Sequence, residues 1–144
     1  MSELSLNIAQ TILTAALKTA REKNFKPLSV VVYDSRGALR AAASEDGTSL
    51  KRAEIAMAKA YGALSLGLGS RAIHKMALER PYFVAAATHA VGGQLVPAAG
   101  GVLVKDAQGR ILGAVGVSGD TSDNDEVAAA AGVEAAGLVF DAGA

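Results

Sequence analysis

Residues 100–119 read Gly-Gly-Val-Leu-Val-Lys-Asp-Ala-Gln-Gly-Arg-Ile-Leu-Gly-Ala-Val-Gly-Val-Ser-Gly. Two apolar runs, at 102–104 and 111–117, flank a polar segment at 105–110. That alternation of apolar run, turn and apolar run predicts a β-hairpin. Four glycines outside the turn, Gly100, Gly101, Gly113 and Gly116, are costly in a strand unless another backbone or a ligand comes close there. The hairpin is followed at once by Asp120-Thr-Ser-Asp-Asn-Asp-Glu126 and an alanine-rich segment, predicted to be a helix from about Asp123 to Val139. Asp123 and Glu126 have the spacing of a capping box, with Asp in place of Ser or Thr.

Towards the N-terminus, residues 28–34 carry three consecutive valines and read as a buried strand. Ser35-Arg36-Gly37 reads as a turn and 38–44 as the returning strand. Ser5 is placed to cap a first helix ending near Lys23, with Leu6, Leu13, Leu17 and Ala20 on one face. A second helix is expected over 49–66, its apolar stripe Leu50, Ala53, Met57, Ala60 and Leu64. Gly67 and Gly69 stop it. Ser70 can cap a third helix over 71–79, ended by Pro81. Residues 82–91 fit a helical turn or a strand equally, and 92–101 read as a loop. Two hairpins separated by helices predict an α+β fold with an antiparallel sheet.

At 144 residues the chain is expected to form one domain, 1–144. Fourteen basic and fourteen acidic residues cancel, and no basic patch points to nucleic acid. The chain has no cysteine, so thiolate chemistry and disulfides are excluded. No apolar run has the length of a membrane span, and the N-terminus lacks the features of a signal peptide. A cytoplasmic protein with no membrane partner is the expectation. Low charge and abundant small apolar residues suggest that part of the surface is covered by partner subunits.

The ordered set of motifs resembles the GlcG/HbpS-like family, also described as haem-degrading or PduO C-terminal domain-like. The residues that carry the resemblance are Val30-Val-Val-Tyr-Asp-Ser-Arg-Gly37, Asp46-Gly47, the segment from Glu54 to Ala63 around Lys59, Gly100-Gly101, the segment from Gly113 to Gly119, and Asp125-Glu126. They span nearly the whole chain, from about Leu4 to Leu138. The resemblance implies a profilin-like fold, a central antiparallel sheet of about five strands flanked by helices. It also implies homo-oligomers, from dimer to octamer, and in some relatives haem binding. The sequence departs from the family pattern in lacking a proline shortly after Gly100-Gly101 and a histidine in the first helix. It also has Ala41-Ala42-Ala43 where relatives often have bulkier residues. The first two departures weaken the expectation of haem.

His89 is the candidate iron ligand or general base, since a neutral imidazole does either near neutral pH. Its plainer role is a hydrogen-bonded surface or interface residue. Lys59 stands at the family's helix position. In a pocket it could pair a ligand carboxylate or act as a base, and otherwise it would be solvated or salt-bridged. Glu126 could transfer a proton, hold Lys59, or serve the helix end. Gly100 and Gly101 could offer backbone N–H groups to an anion or simply permit a turn. His74 reads as a solvated or interface residue, and two histidines without ligand spacing predict no metal site.

Two functions fit these residues, beside a structural reading as an assembly module whose pocket is vestigial. One is a small-molecule-binding protein, for haem or a related tetrapyrrole, with His89, Gly100 and Gly101 as the contact residues. The other is a cofactor-free catabolic enzyme acting on a small organic acid, with Lys59, Glu126 and His89 supplying acid–base chemistry.

Overall fold

The structure, a computed structural model, describes residues 3–144. The elements run α1 (Leu6–Glu22), β1 (Ser29–Asp34), β2 (Leu39–Ser44), α2 (Arg52–Leu66), α3 (Ser70–Glu79), α4 (Pro81–Ala90), β3 (Gly101–Lys105), β4 (Ile111–Ser118), α5 (Ser122–Ala135) and β5 (Val139–Asp141). The strands form one sheet in the order β2-β1-β4-β3-β5, antiparallel throughout. This is the α+β architecture expected from the sequence.

Helices cover both faces of the sheet, so the central strands are buried on both sides and read as continuous apolar runs rather than as alternating ones. Val30 and Val32 of β1, Val102 and Val104 of β3, and Val115 and Val117 of β4 point to the face packed by α1 and α5. Val31, Tyr33, Leu103 and Ala114 point to the other face, against Ala56, Ala60 and Ala63 of α2. This division follows the two-residue period of a strand.

The strand glycines allow α2 to lie close. Gly101 and Gly116 are register partners on β3 and β4. A Cβ on Gly116 would run into the Ala56 carbonyl, and one on Gly101 into the Lys59 carbonyl. The close backbone approach expected from these glycines is therefore made by helix α2. On the opposite face, Gly132 of α5 sits against the Ile12 carbonyl of α1.

The two long hairpins share one turn chemistry. In Asp34-Ser-Arg-Gly37, Asp34 Oδ1 accepts from the N–H groups of Arg36 and Ala38 at 2.9 and 3.0 Å. In Asp106-Ala-Gln-Gly109, Asp106 Oδ1 accepts from Gln108 and Arg110, each at 2.9 Å. Gly37 and Gly109 both adopt positive φ, 79° and 83°, which glycine permits at no steric cost.

Several sequence expectations need correction. Leu6 is exposed, and α1 buries Ala9, Ile12, Ala16 and Ala20. Leu50 precedes α2 and is 87% exposed, while the buried face of that helix carries Ala56, Lys59, Ala60 and Ala63. Most residues on that face are small because α2 lies so close to the strand backbone at Gly101 and Gly116 that little depth is left. Residues 81–90 are helical, with Pro81 at the first position of α4, where its missing N–H costs nothing. The last helix stops at Ala135, and Val139–Asp141 forms the edge strand β5 against β3. Thr121, not Asp123, caps α5, its Oγ1 accepting from Asn124 N at 3.2 Å. Ser5 caps α1 as expected, accepting from Ile8 N at 3.2 Å.

Candidate functional site

The heads of β3, α3 and α5 meet beside the middle of α2, and this junction gathers four of the five predicted site residues. Lys59 leaves α2 on the sheet side and passes the start of β3. Its Nζ donates to Val117 O at 3.0 Å and to Asp125 Oδ2 at 3.1 Å. The Lys59 side chain is 3% exposed and that of Asp125 2%. The other oxygen, Asp125 Oδ1, accepts from Asp120 N at 2.9 Å. The pair thus ties α2, on one face of the sheet, to α5 on the other.

Gly100 makes that passage possible. Its φ is 121°, and any Cβ would fall 2.7 Å from Val117 O and 2.8 Å from Lys59 Nζ. The carbonyl of Gly100 accepts from Val117 N at 2.9 Å. Gly101 donates its N–H to the buried Ser70 Oγ at 2.7 Å. Both observations correct the sequence reading. The Gly101 N–H is committed within the chain rather than offered to an anion, and Ser70 serves Gly101 rather than capping α3 with its side chain.

Burial disfavours the charged form of both partners. It pulls Lys59 below the ordinary lysine value and pushes Asp125 above the ordinary aspartate value, and each partner's charge opposes the shift of the other. The nearby Arg52 cation depresses Lys59 further. Both hydrogen bonds of the Lys59 ammonium are made within the core.

Glu126 does not hold Lys59. It faces Arg71 of α3, whose Nε donates to Glu126 Oε1 at 2.9 Å, while Nη2 contacts Asp123. These acids, Glu126 foremost, hold the guanidinium above its ordinary value. Arg71 and Asp123, with His74, Ser122, Ala98 and Ala99, line a cavity of about 150 Å³. His74 Nδ1 lies 3.1 Å from Pro97 O, a contact that places the proton on Nδ1. His74 is therefore the histidine at this junction.

His89 lies elsewhere, on the last turn of α4. It is exposed, and its imidazole has no hydrogen-bond partner among the described residues. Only Val84 of α4 is fully buried, against Ile73 and Leu95. Tyr82, Ala86 and His89 follow one another at i, i+4 and i+7, so they share the exposed face. Tyr82 is 73% and Phe83 40% exposed, and no charged side chain occurs in Pro81–Ala90. Among the described residues no cluster of three or more metal-ligating side chains occurs, and no helix is long and apolar enough to cross a membrane.

The model of the family described as haem degrading protein HbpS-like matches residues 4–134. The chain belongs to the HbpS-like family. Its structure is similar to that of a PduOC–haem complex, at 20% identity and a TM-score of 0.84, covering 95% of this chain and 97% of that one. It is also similar to the Klebsiella pneumoniae protein ORFY, at 24% identity and a TM-score of 0.84, covering 95% and 93%. A double mutant of HbpS from Streptomyces reticuli is 27% identical, with a TM-score of 0.79 over 93% of this chain and 87% of that one. No curated protein sequence matches the chain. The matched range contains the segments that gave the resemblance, among them Lys59, Gly100, Gly101, Asp125 and Glu126.

The missed partner was Asp125, and its signal was present in the sequence. Asp125 lies three, four and seven residues before Ala128, Ala129 and Gly132, which form the buried face of α5. Glu126 is one position further round, so it leaves the core towards Arg71.

Proposed function

We propose that this HbpS-like chain binds haem on the exposed face of α4, with His89 as the iron ligand. The observation that carries the reading is the setting of His89. Its imidazole is unbonded and stands in a ten-residue helix with no charged side chain and a largely exposed apolar surface. Haem is a flat, largely apolar ring with a metal centre, and a neutral imidazole is a common protein ligand for iron. The donor set and the surface therefore suit the group. When bound, haem supplies a redox-active iron. The chain's own part is to offer the imidazole and to cover one face of the ring with Tyr82, Ala86 and the adjoining apolar side chains. Family membership and the likeness to a haem complex support the same reading.

The acid–base alternative loses support from the geometry, because Lys59 and Glu126 are held by Asp125 and Arg71 and neither hydrogen-bonds nor ion-pairs with His89. A single helix covers only one face of a ring, so a homo-oligomer in which a second copy packs over α4 accords with this proposal. A cytoplasmic location stays part of the same reading.

The test is a visible-absorption titration with haemin of the wild-type chain and of His89→Ala, with light scattering to follow assembly. A saturable shift of the Soret band that is lost or moved in His89→Ala is expected. No saturable shift, or the same spectrum and affinity in the variant, would overturn the proposal.

A further inference from the structure

A second cavity, of about 230 Å³, is lined by none of the residues of α4 and by neither Lys59 nor Asp125. It is lined by Lys26 and Pro27 from the α1–β1 connection, by Gly47, Thr48 and Ser49 from the β2–α2 connection, by Arg52, and by Gly119. We infer that this cavity binds a small oxyanion, a carboxylate or a phosphate, held chiefly by Arg52.

The charge of the lining carries the inference. It contains two cations and no acidic side chain. Nine ion pairs occupy charged side chains elsewhere, and among the described residues neither Arg52 nor Lys26 takes part in one. Arg52 is half-buried, and one of its donors is fixed, Nη1 donating to the fully buried Ser118 Oγ at 3.1 Å. A guanidinium has five N–H donors in a rigid fork that matches the two oxygens of a carboxylate or phosphate. Anchoring one donor orients the fork and leaves the others available. The hydroxyls of Thr48 and Ser49 add donors in the same lining.

The acids that flank the lining in sequence, Asp46 and Asp120, are not part of it. Asp120 follows Gly119, but its Oδ2 accepts from the Lys26 backbone N–H at 2.6 Å, and its Oδ1 accepts from Thr121 N and Asn124 Nδ2. Its oxygens are taken by the backbone and the head of α5, and its charge also acts on Lys26, which leaves Arg52 as the chief uncompensated cation. Arg52 also acts unfavourably on the buried Lys59. An anion beside Arg52 offsets that repulsion. The volume is below the roughly 300–1,000 Å³ of pockets for drug-sized ligands, so the ligand is an acid of a few carbon atoms or a phosphate-sized ion. Neither α4 nor His89 contributes to this cavity, so the inference stands apart from haem binding.

Calorimetric titration of the haem-free chain with inorganic phosphate and, separately, with succinate tests the assignment. Saturable binding of at least one probe is expected, weakened tenfold or more in Arg52→Gln and less in Arg52→Lys. Lys26→Ala is expected to weaken it by a smaller factor, and rising salt to weaken it throughout. Phosphate binding alone identifies a phosphate site, and succinate binding alone a carboxylate site. Saturation by both identifies a general oxyanion site. No saturable binding by either probe, or unchanged affinity in Arg52→Gln when circular dichroism shows the variant folded, overturns the inference.

Discussion

Replacing Lys59 by Met tests the central claim about the junction, that it is a strut and not a reactive lysine. Met keeps most of the length and apolar volume of the side chain but removes the ammonium. Asp125, 2% exposed, then loses the donor at 3.1 Å and keeps only the Asp120 N–H. Removing one member of a buried ion pair costs about 3–5 kcal/mol, because the other charge stays desolvated. For a chain of this size that corresponds to a fall in melting temperature of roughly 6–20 °C. The deficit should also depend on pH. Burial already holds the Asp125 pKa above its ordinary value, and losing the cation raises it further. A carboxyl whose folded pKa exceeds its unfolded pKa contributes stability that is complete below the unfolded value and is lost as pH rises through the folded value. Lys59→Met should therefore lose more at pH 8 than at pH 5. In the double variant Lys59→Met/Asp125→Asn the cost should be well below the sum of the single variants, with a coupling of at least about 1 kcal/mol. Urea unfolding followed by circular dichroism at the two pH values measures all of this. A Lys59→Met cost under about 1 kcal/mol at pH 8, or strict additivity in the cycle, would refute the strut.

The glycines under α2 should be intolerant of a methyl group. Gly116→Ala drives a Cβ into the Ala56 carbonyl, and lifting α2 opens the core beneath Ala60 and Ala63, so a loss of about 4 kcal/mol or more is expected in urea unfolding. Gly92→Ala, where the space is open and only a φ of 71° is unfavourable, should cost about 1 kcal/mol, and equal costs at the two sites would contradict the close packing of α2. Asp120 is held down to about 2 by hydrogen bonds from the Lys26 backbone, the Thr121 backbone and Asn124. Its stabilisation is complete above its unfolded value and is lost as pH falls from about 4 towards 2, so Asp120→Asn should remove about 1–2 kcal/mol at pH 7 and flatten that acid limb. A variant as acid-sensitive as wild type would show that Asp120 contributes nothing.

The architecture was legible where local chemistry and pattern agreed. The valine run of β1, the glycine-rich hairpin of β3 and β4, and the Ser5 cap can each be read from a few neighbouring residues, and each predicted element is present. The twin Asp-x-x-Gly turns were equally readable, since the Asp side chain satisfies its own turn. Other features depended on partners distant in sequence. Residues 82–91 gave no clear period because α4 is apolar almost all round, and only its packing through Val84 and the Pro81 start define it as a helix. Val139–Asp141 becomes a strand because β3 offers an unpaired edge there, a fact that three residues cannot encode.

At the junction the division is similar. The sequence singled out Lys59 and the Asp125-Glu126 pair through the family resemblance, and Gly100 and Gly101 also as glycines beside a strand. It did not decide which acid meets the lysine. Tertiary structure chose Asp125, because the rotation of α5 against Ile12 through Gly132 turns that residue inward and leaves Glu126 to Arg71. It also set His89 apart from the junction. The physical reason is one of range. Backbone propensity, turns and caps are settled within a few residues, whereas the pairing of charges depends on helix rotation, and that rotation is fixed by contacts far apart in the chain.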